Sequence, residues 1–278
     1  MIKIFVDSGS SITVDEAERY GVEILPLKVI INGKEYLDGV DLPMDLFYHY
    51  LIDEDIFPKT SLPSPGDAQE RVMQYVNDGY EVIILSLSSG LSGTYNMMRT
   101  MFADVPGVCV IDTKTAVGGI RLLLEEALRY IGHPVGTVKQ KVLDMIPKLR
   151  VIAIPETLES LHKGGRLSKT AFVAGSLMQI KPLLTVESRT DGGVKVSGKA
   201  LGKKNAMKAL AEILEKENCD TDYKIIPSYT YDSKNLDELI SLTDEKYKSN
   251  MTEYDNLDPA IACHWGPGAF GYIFVSKT

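Results

Sequence analysis

Apolar runs of strand length alternate with amphipathic stretches through most of the chain, and small polar residues gather where the runs end. Residues 2–6 are such a run, broken at Asp7-Ser8-Gly9-Ser10-Ser11. Asp15, Glu16 and Glu18 then interleave with Ala17 and Tyr20 at helical spacing, which completes one strand-loop-helix unit. Residues 22–31 read as a further strand closed by Asn32-Gly33, the strongest short-range signal of a tight hairpin, with residues 34–37 returning and residues 44–51 helical. Pro58, Pro63 and Pro65 make residues 57–66 an ordered loop that presents Thr60, Ser61 and Ser64 ahead of a helix over 67–77. Glu81-Val82-Ile83-Ile84-Leu85 is a buried strand that delivers Ser86-Leu87-Ser88-Ser89-Gly90-Leu91-Ser92-Gly93-Thr94 to a helix over 95–102. Residues 108–113 repeat the theme before a helix over 118–131, and strands alternating with helices imply a largely parallel sheet.

The pattern changes near Arg150. A strand at Val151-Ile152-Ala153-Ile154 is followed by a helical stretch around Leu158 and Leu161 and by Lys163-Gly164-Gly165-Arg166. Residues 181–186 and 193–196 read as short strands joined by the hairpin signal Asp191-Gly192-Gly193, and 207–217 as an amphipathic helix. Strand 223–226, helix 237–246 and a strand at Ala260-Ile261-Ala262-Cys263 precede His264-Trp265-Gly266-Pro267-Gly268-Ala269 and a last strand over 270–275. No repeat has solenoid spacing. The expected architecture is an α/β protein of two regions. Residues 1–150 carry a largely parallel sheet with helices and residues 151–278 a second α/β region with a mixed sheet. Elements are free to interleave near the boundary, and a ligand cleft lies between the regions.

Composition adds exclusions. A chain of 278 residues with 44% hydrophobic and 24% charged residues folds and buries a substantial core. The net charge of −8 argues against a nucleic-acid binder. Lys199, Lys203, Lys204 and Lys208 around Gly202 read as a solvated helix entry or as a face for an acidic partner. Cys109, Cys219 and Cys263 form no CxxC pair, so they read as reduced thiols without a disulfide framework or metal site. The first residues enter a strand pattern without a long apolar leader, and no run approaches membrane-spanning length. A cytoplasmic protein, with transient membrane contact left open, is the expectation.

Four glycine- or proline-marked loops hold the candidate chemistry: residues 60–66, 86–94, 164–166 and 264–269. In 86–94, Gly90 and Gly93 allow close backbone approach, while Ser92 and Thr94 offer hydroxyls near a helix start. That suits an anionic oxygen, and equally a plain connection with a Ser or Thr N-cap. His264 ends an apolar strand, where it can donate to a carboxylate, act as a base, or simply be structural beside Trp265. Arg166, after two glycines, offers a planar fork for a carboxylate or phosphate, or is a surface cation. A serine hydrolase or acyl transferase would use Ser92 and His264. Thr94 stands where a nucleophile elbow has its second glycine, however, and no acidic third member is evident. No Gly-x4-Gly-Lys-Ser/Thr loop occurs, so a nucleoside triphosphatase is disfavoured. The loops read as a binding site with no catalytic residue.

Taken together the loops resemble the DegV family of fatty-acid-binding proteins, which includes the FakB subunits of bacterial fatty acid kinase. The resemblance rests on Asp7-Ser8, Thr60-Ser61-Leu62-Pro63-Ser64-Pro65, Ser88-Ser89-Gly90-Leu91-Ser92-Gly93-Thr94-Tyr95, Lys163-Gly164-Gly165-Arg166, Ile180-Lys181-Pro182, and His264 with Gly266-Pro267-Gly268-Ala269, in that order along nearly the entire chain. It implies two α/β domains around a buried long-chain fatty acid and no other cofactor. The carboxylate would be held by Thr60 or Ser61, Ser92 and His264, with Arg166 nearby or facing a kinase partner. A carboxylate needs several donors in a dry cleft and an acyl tail an apolar tunnel, for which Phe172, Leu177, Met178, Ile180 and Leu184 are candidates, as they are for ordinary core. Many relatives carry glutamine where this chain has Leu62, and the kinase subunits an arginine where it has Leu201. The latter departure bears on kinase coupling more than on lipid binding. A lipid-responsive sensor is the other non-catalytic reading.

Overall fold

The computed structural model describes residues 1–175, 180–252 and 254–278. In chain order the elements are β1 (Ile2–Asp7), α1 (Val14–Tyr20), β2 (Glu23–Leu25), β3 (Lys28–Ile31), β4 (Lys34–Leu37), α2 (Met44–Tyr48), β5 (Lys59–Ser61), α3 (Pro65–Asn77), β6 (Glu81–Ser86), α4 (Thr94–Met101), β7 (Val108–Asp112), α5 (Gly118–Arg129) and α6 (Val135–Met145). They continue with β8 (Leu149–Ile154), α7 (Glu159–Lys163), α8 (Lys169–Gly175), β9 (Ile180–Val186), β10 (Val194–Leu201), α9 (Lys203–Ala211), α10 (Ile213–Lys216), β11 (Ile226–Tyr229), α11 (Lys234–Leu242), α12 (Glu245–Lys248), β12 (Asp255–Asn256), α13 (Pro259–Trp265) and β13 (Phe270–Val275).

A four-stranded sheet in the order β2-β1-β6-β7 is parallel throughout, as the alternation of strands and helices requires. The side-chain period of two sends Phe5, Val82 and Ile84 to one face, where Ala68 and Val72 of α3 and Met98 of α4 cover them. It sends Ile4, Val6, Ile83 and Leu85 to the other. A six-stranded mixed sheet follows in the order β10-β9-β8-β13-β11-β12, antiparallel except for the β11-β12 pair. Ile152, Ile154, Tyr272 and Phe274 on its outer face pack on Met207 and Leu210 of α9 and Leu236 and Leu239 of α11. Its inner face, with Val151, Leu184, Ile273 and Val275, joins the inner face of the parallel sheet in one continuous core through Ile120, Leu123, Leu124 and Ala127 of α5.

A small antiparallel sheet, β4-β3-β5, completes the fold. Its hairpin turns at Asn32 (φ 52°) and Gly33 (φ 79°), and positive φ at both central residues is the type I′ geometry that the Asn-Gly dipeptide favours.

Several sequence expectations give way to tertiary context. The single strand over 22–31 splits at Pro26 into β2 and β3, which belong to different sheets. A proline cannot donate to a ladder, so one strand becomes two. The loop over 57–66 contains β5, and α3 begins at Pro65. Residues 260–263 are not a strand but most of α13, in which six of seven residues are buried. A helix buried on nearly every side has no amphipathic period, so its apolar run mimics a buried strand. The helix over 207–217 begins at Lys203 and divides at Glu212, and the strand expected at 223–226 is β11, shifted toward the C-terminus.

Candidate functional site

The cleft forms where the carboxyl ends of the parallel strands face α13 and the turn that follows α7. Asp7, the last residue of β1, fixes the start of the 86–94 loop: its carboxylate accepts Leu87 N–H at 2.7 Å, Ser86 Oγ at 3.2 Å and Gly9 N–H at 3.1 Å. Burial raises its pKa to about 6 against the pull of those donors. The loop then lines one side of a cavity of about 210 Å³ with Leu91, Ser92 and Gly93. Ser92 Oγ lies 2.8 Å from Thr94 Oγ1 and accepts Thr94 N–H at 3.3 Å, while the N-cap of α4 is Gly93, without a side-chain bond.

Thr60 and Ser61 reach the cavity from β5. Thr60 is registered opposite buried Val29 of β3, which turns its side chain toward α13, whereas Ser61 on the alternate face is exposed and stands at the rim. Thr60 Oγ1 is 2.8 Å from His264 Nε2. The other ring nitrogen, Nδ1, is buried without a hydrogen bond among the described residues. Burial first, then the charge of Arg166, pushes the His264 pKa down to about 3, so the imidazole is neutral at pH 7. Gly164, at the end of α7, leaves room for this ring: a Cβ there would stand 2.2 Å from Nδ1. Arg166 lines the cavity and binds two loops, donating from Nε to Leu91 O at 3.0 Å and from Nη1 to Gly164 O at 2.6 Å. Its Nη2 donates to no protein atom among the described residues.

All five sequence candidates, Thr60, Ser61, Ser92, Arg166 and His264, therefore line one cavity. Leu62 lines it too, beside Gly93, where an added Cβ would stand 3.5 Å from its Cδ2. Beyond it a second, apolar cavity of about 30 Å³ lies between Ala116 and Val117, which precede α5, and the mixed sheet, and Ala116 and Trp265 wall both. The tail candidates fare differently. Leu184 is fully buried core, Phe172 stacks on His162 at 4.4 Å, Ile180 is half-buried at the start of β9, and Leu177 and Met178 lie outside the described residues.

Asp38 is a residue that the sequence reading missed. Its carboxylate accepts Ala260 N–H at 2.9 Å, near the start of α13, and Ser8 Oγ at 2.7 Å; that hydroxyl in turn accepts Leu27 N–H at 3.0 Å. Leu27 and Ala260 both line the cavity, so one buried carboxylate aligns two of its wall residues. Burial raises the Asp38 pKa to about 6. The Asp258-Pro259 pair signals the start of α13, because proline at a first helical position marks a helix start, but it says nothing of Asp38.

The arrangement holds no Ser-His pair. Ser92 Oγ meets Thr94, His264 Nε2 meets Thr60, and among the described residues no carboxylate bonds Nδ1, so Ser92 and His264 are not paired as nucleophile and base. What it offers an anion is hydroxyls, a neutral imidazole and a guanidinium around a cavity with apolar walls. Among the described residues no cluster of His, Cys, Asp or Glu is placed to hold a metal ion, and no helix is long and apolar enough to cross a membrane.

Comparison with known proteins gives the same architecture. The family described as "Uncharacterised protein, DegV family" matches residues 1–277. A DegV domain-containing protein of Clostridium acetobutylicum is 30% identical over 286 residues, covering 99% of each chain. A fatty acid binding DegV family protein from Streptococcus agalactiae superposes with a TM-score of 0.90 at 27% identity, covering 100% of this chain and 99% of that one. A DegV family protein from Thermus thermophilus, described for its fatty acid binding, gives 0.84 at 28% identity and 99% of each chain. A stearic acid-binding protein from Eubacterium ventriosum gives 0.83 at 26% identity, over 100% of this chain and 99% of that one. The chain belongs to the DegV family.

Proposed function

We propose that this DegV family member is a non-catalytic carrier that binds a long-chain fatty acid, with Thr60, Ser92, His264 and Arg166 holding the carboxylate and Ser61 at the rim. The two regions on either side of the cleft meet near residue 150. The observation that carries the reading is the single cavity that collects hydroxyls, imidazole and guanidinium at one end and leads past Ala116 and Trp265 toward an apolar void. Fatty acid binding by structural relatives at 26–28% identity supports it. The 210 Å³ cavity accommodates the head group and the first part of an acyl chain, and the rest follows as the inner faces part around the second void.

A partner kinase in the cytoplasm would transfer a phosphoryl group from ATP to the bound carboxylate, giving an acyl phosphate and ADP. Leu201, 65% exposed beside Lys203 and Lys204, sits on the surface where that coupling is expected to differ from the kinase subunits. Native mass spectrometry of the purified chain, with and without palmitate or oleate, tests the carrier. A mass increase of one fatty acid that is lost in His264→Ala supports it, and a chain that takes up neither acid defeats it. Acyl phosphate formation on adding a fatty acid kinase and ATP tests the partner.

A further inference from the structure

The turn between β9 and β10 rests on the 86–94 loop through backbone rather than side-chain bulk. Ser88, fully buried, donates its hydroxyl to Gly192 O at 2.8 Å and accepts Gly90 N–H at 3.1 Å. A Cβ on Gly90 would come within 2.6 Å of Gly192 C and Gly193 N, and one on Gly192 within 1.9 Å of Ser88 Oγ. Only paired glycines allow so close an approach. On the outer side Lys114 Nζ bonds Asp191 at 2.7 Å, Asp112 at 3.1 Å and Ser89 Oγ at 3.1 Å, which ties the turn to the end of β7.

Two properties make this contact separable. The segment Glu187-Ser188-Arg189-Thr190-Asp191-Gly192-Gly193 contains no apolar side chain, so parting it from the loop exposes groups that water can satisfy. It also bridges the two sheets at the cavity itself, with Leu91, Ser92 and Gly93 on one bank and Val194, the first residue after the turn, on the other. The rest of the junction is mainly apolar core, crossed by hydrogen bonds such as Arg166 to Leu91 O, Thr60 to His264 and Ala260 N–H to Asp38.

We propose that the β9–β10 turn is a clasp over the cavity whose release admits and frees the ligand, so that the Gly90–Gly192 contact sets the exchange rate more than the affinity. The inference rests on the fatty acid reading above. The full chain carrying Ser89→Cys and Asp191→Cys, whose side chains both reach Lys114 Nζ and neither of which lines the cavity, provides a reversible lock that leaves Gly90 and Gly192 intact. Oxidation to the disulfide is confirmed by mass, and exchange of dansyl-undecanoic acid against palmitate is followed by stopped flow. Oxidation is expected to slow uptake and release about tenfold or more, with recovery on reduction. Gly90→Ala wedges the contact apart and is expected to speed both rates severalfold while the dissociation constant changes by less than either rate. Exchange that is equal in the oxidised and reduced lock, or Gly90→Ala rates matching the parent, overturns the clasp alone. A parent chain that takes up no fatty acid overturns the carrier reading and the clasp together.

Discussion

Gly164 makes the positioning of His264 testable without touching a residue that lines the cavity. An alanine Cβ there would stand 2.2 Å from His264 Nδ1, 2.9 Å from Cε1 and 3.1 Å from Ser160 O. Ordinary contact begins near 3.4 Å, so ring and helix end must part by 3.4 − 2.2 = 1.2 Å, and the side chain is the softer of the two. A shift of that size is large against the 2.8 Å Thr60–His264 contact and takes Nε2 out of its hydrogen-bond position, whatever its direction. Losing one charge-assisted hydrogen bond to a carboxylate costs about 1.5–3 kcal/mol. The dissociation constant should therefore rise about 12- to 140-fold. Calorimetric titration with palmitate measures it for Gly164→Ala, His264→Ala and the double variant. Gly164→Ala and His264→Ala should not add, since the methyl group then has no ring to displace. Wild-type affinity in Gly164→Ala beside a weakened His264→Ala, or full additivity in the double variant, would refute the reasoning.

Other perturbations follow from the same geometry. Thr60→Val leaves both nitrogens of His264 unpartnered and should weaken fatty acid binding about tenfold, whereas Ser61→Ala at the exposed rim should stay within about twofold; the same titration compares them. Asp38→Ala orphans Ala260 N–H and the Ser8 hydroxyl, about 1–3 kcal/mol each, and should lower the calorimetric Tm by roughly 5 °C or more. Burial raises Asp7 and Asp38 to about 6 and Asp255 and Asp258 to about 7, so their contribution to stability is full below the unfolded value of 3.8 and is lost as pH rises through 6–7. His264, pushed down to about 3, acts oppositely: its contribution is full above 6.5 and is lost as pH falls toward 3. Four acids outweigh one histidine, and the Tm at pH 5 should exceed that at pH 7.5; the reverse order in scanning calorimetry would contradict the raised carboxylates.

The elements that the sequence discloses are those whose causes are local. Asn32-Gly33 turns where its backbone preference says, and 86–94 lies at a strand end because its small residues follow an apolar run. What escapes is set by distant partners. Helix α13 reads as a strand because neighbours on every side leave it no polar face, and His264 consequently sits near a helix end instead of a strand end. Asp38 gives no sign of its role, since its partner Ala260 is 222 positions away. The Lys114–Asp191 contact likewise joins segments that no window of sequence compares. The candidate site was legible as four loops, while their convergence, and the neutrality of His264, required the fold.

The continuous interior between the sheets decides how the molecule can be divided. Helix α5 touches β6 of one sheet and β8 and β13 of the other. A gene split at residue 150 would leave the first half with one flank of α5 bare and the second with Leu184, Val186, Ile273 and Val275 open to water. Each half would keep an outer core of its own but lose the shared one, so the fragments should aggregate apart and regain the complete fold only when expressed together. The backbone amides of α5 should then be among the last to exchange with deuterium, opening only when the entire molecule does.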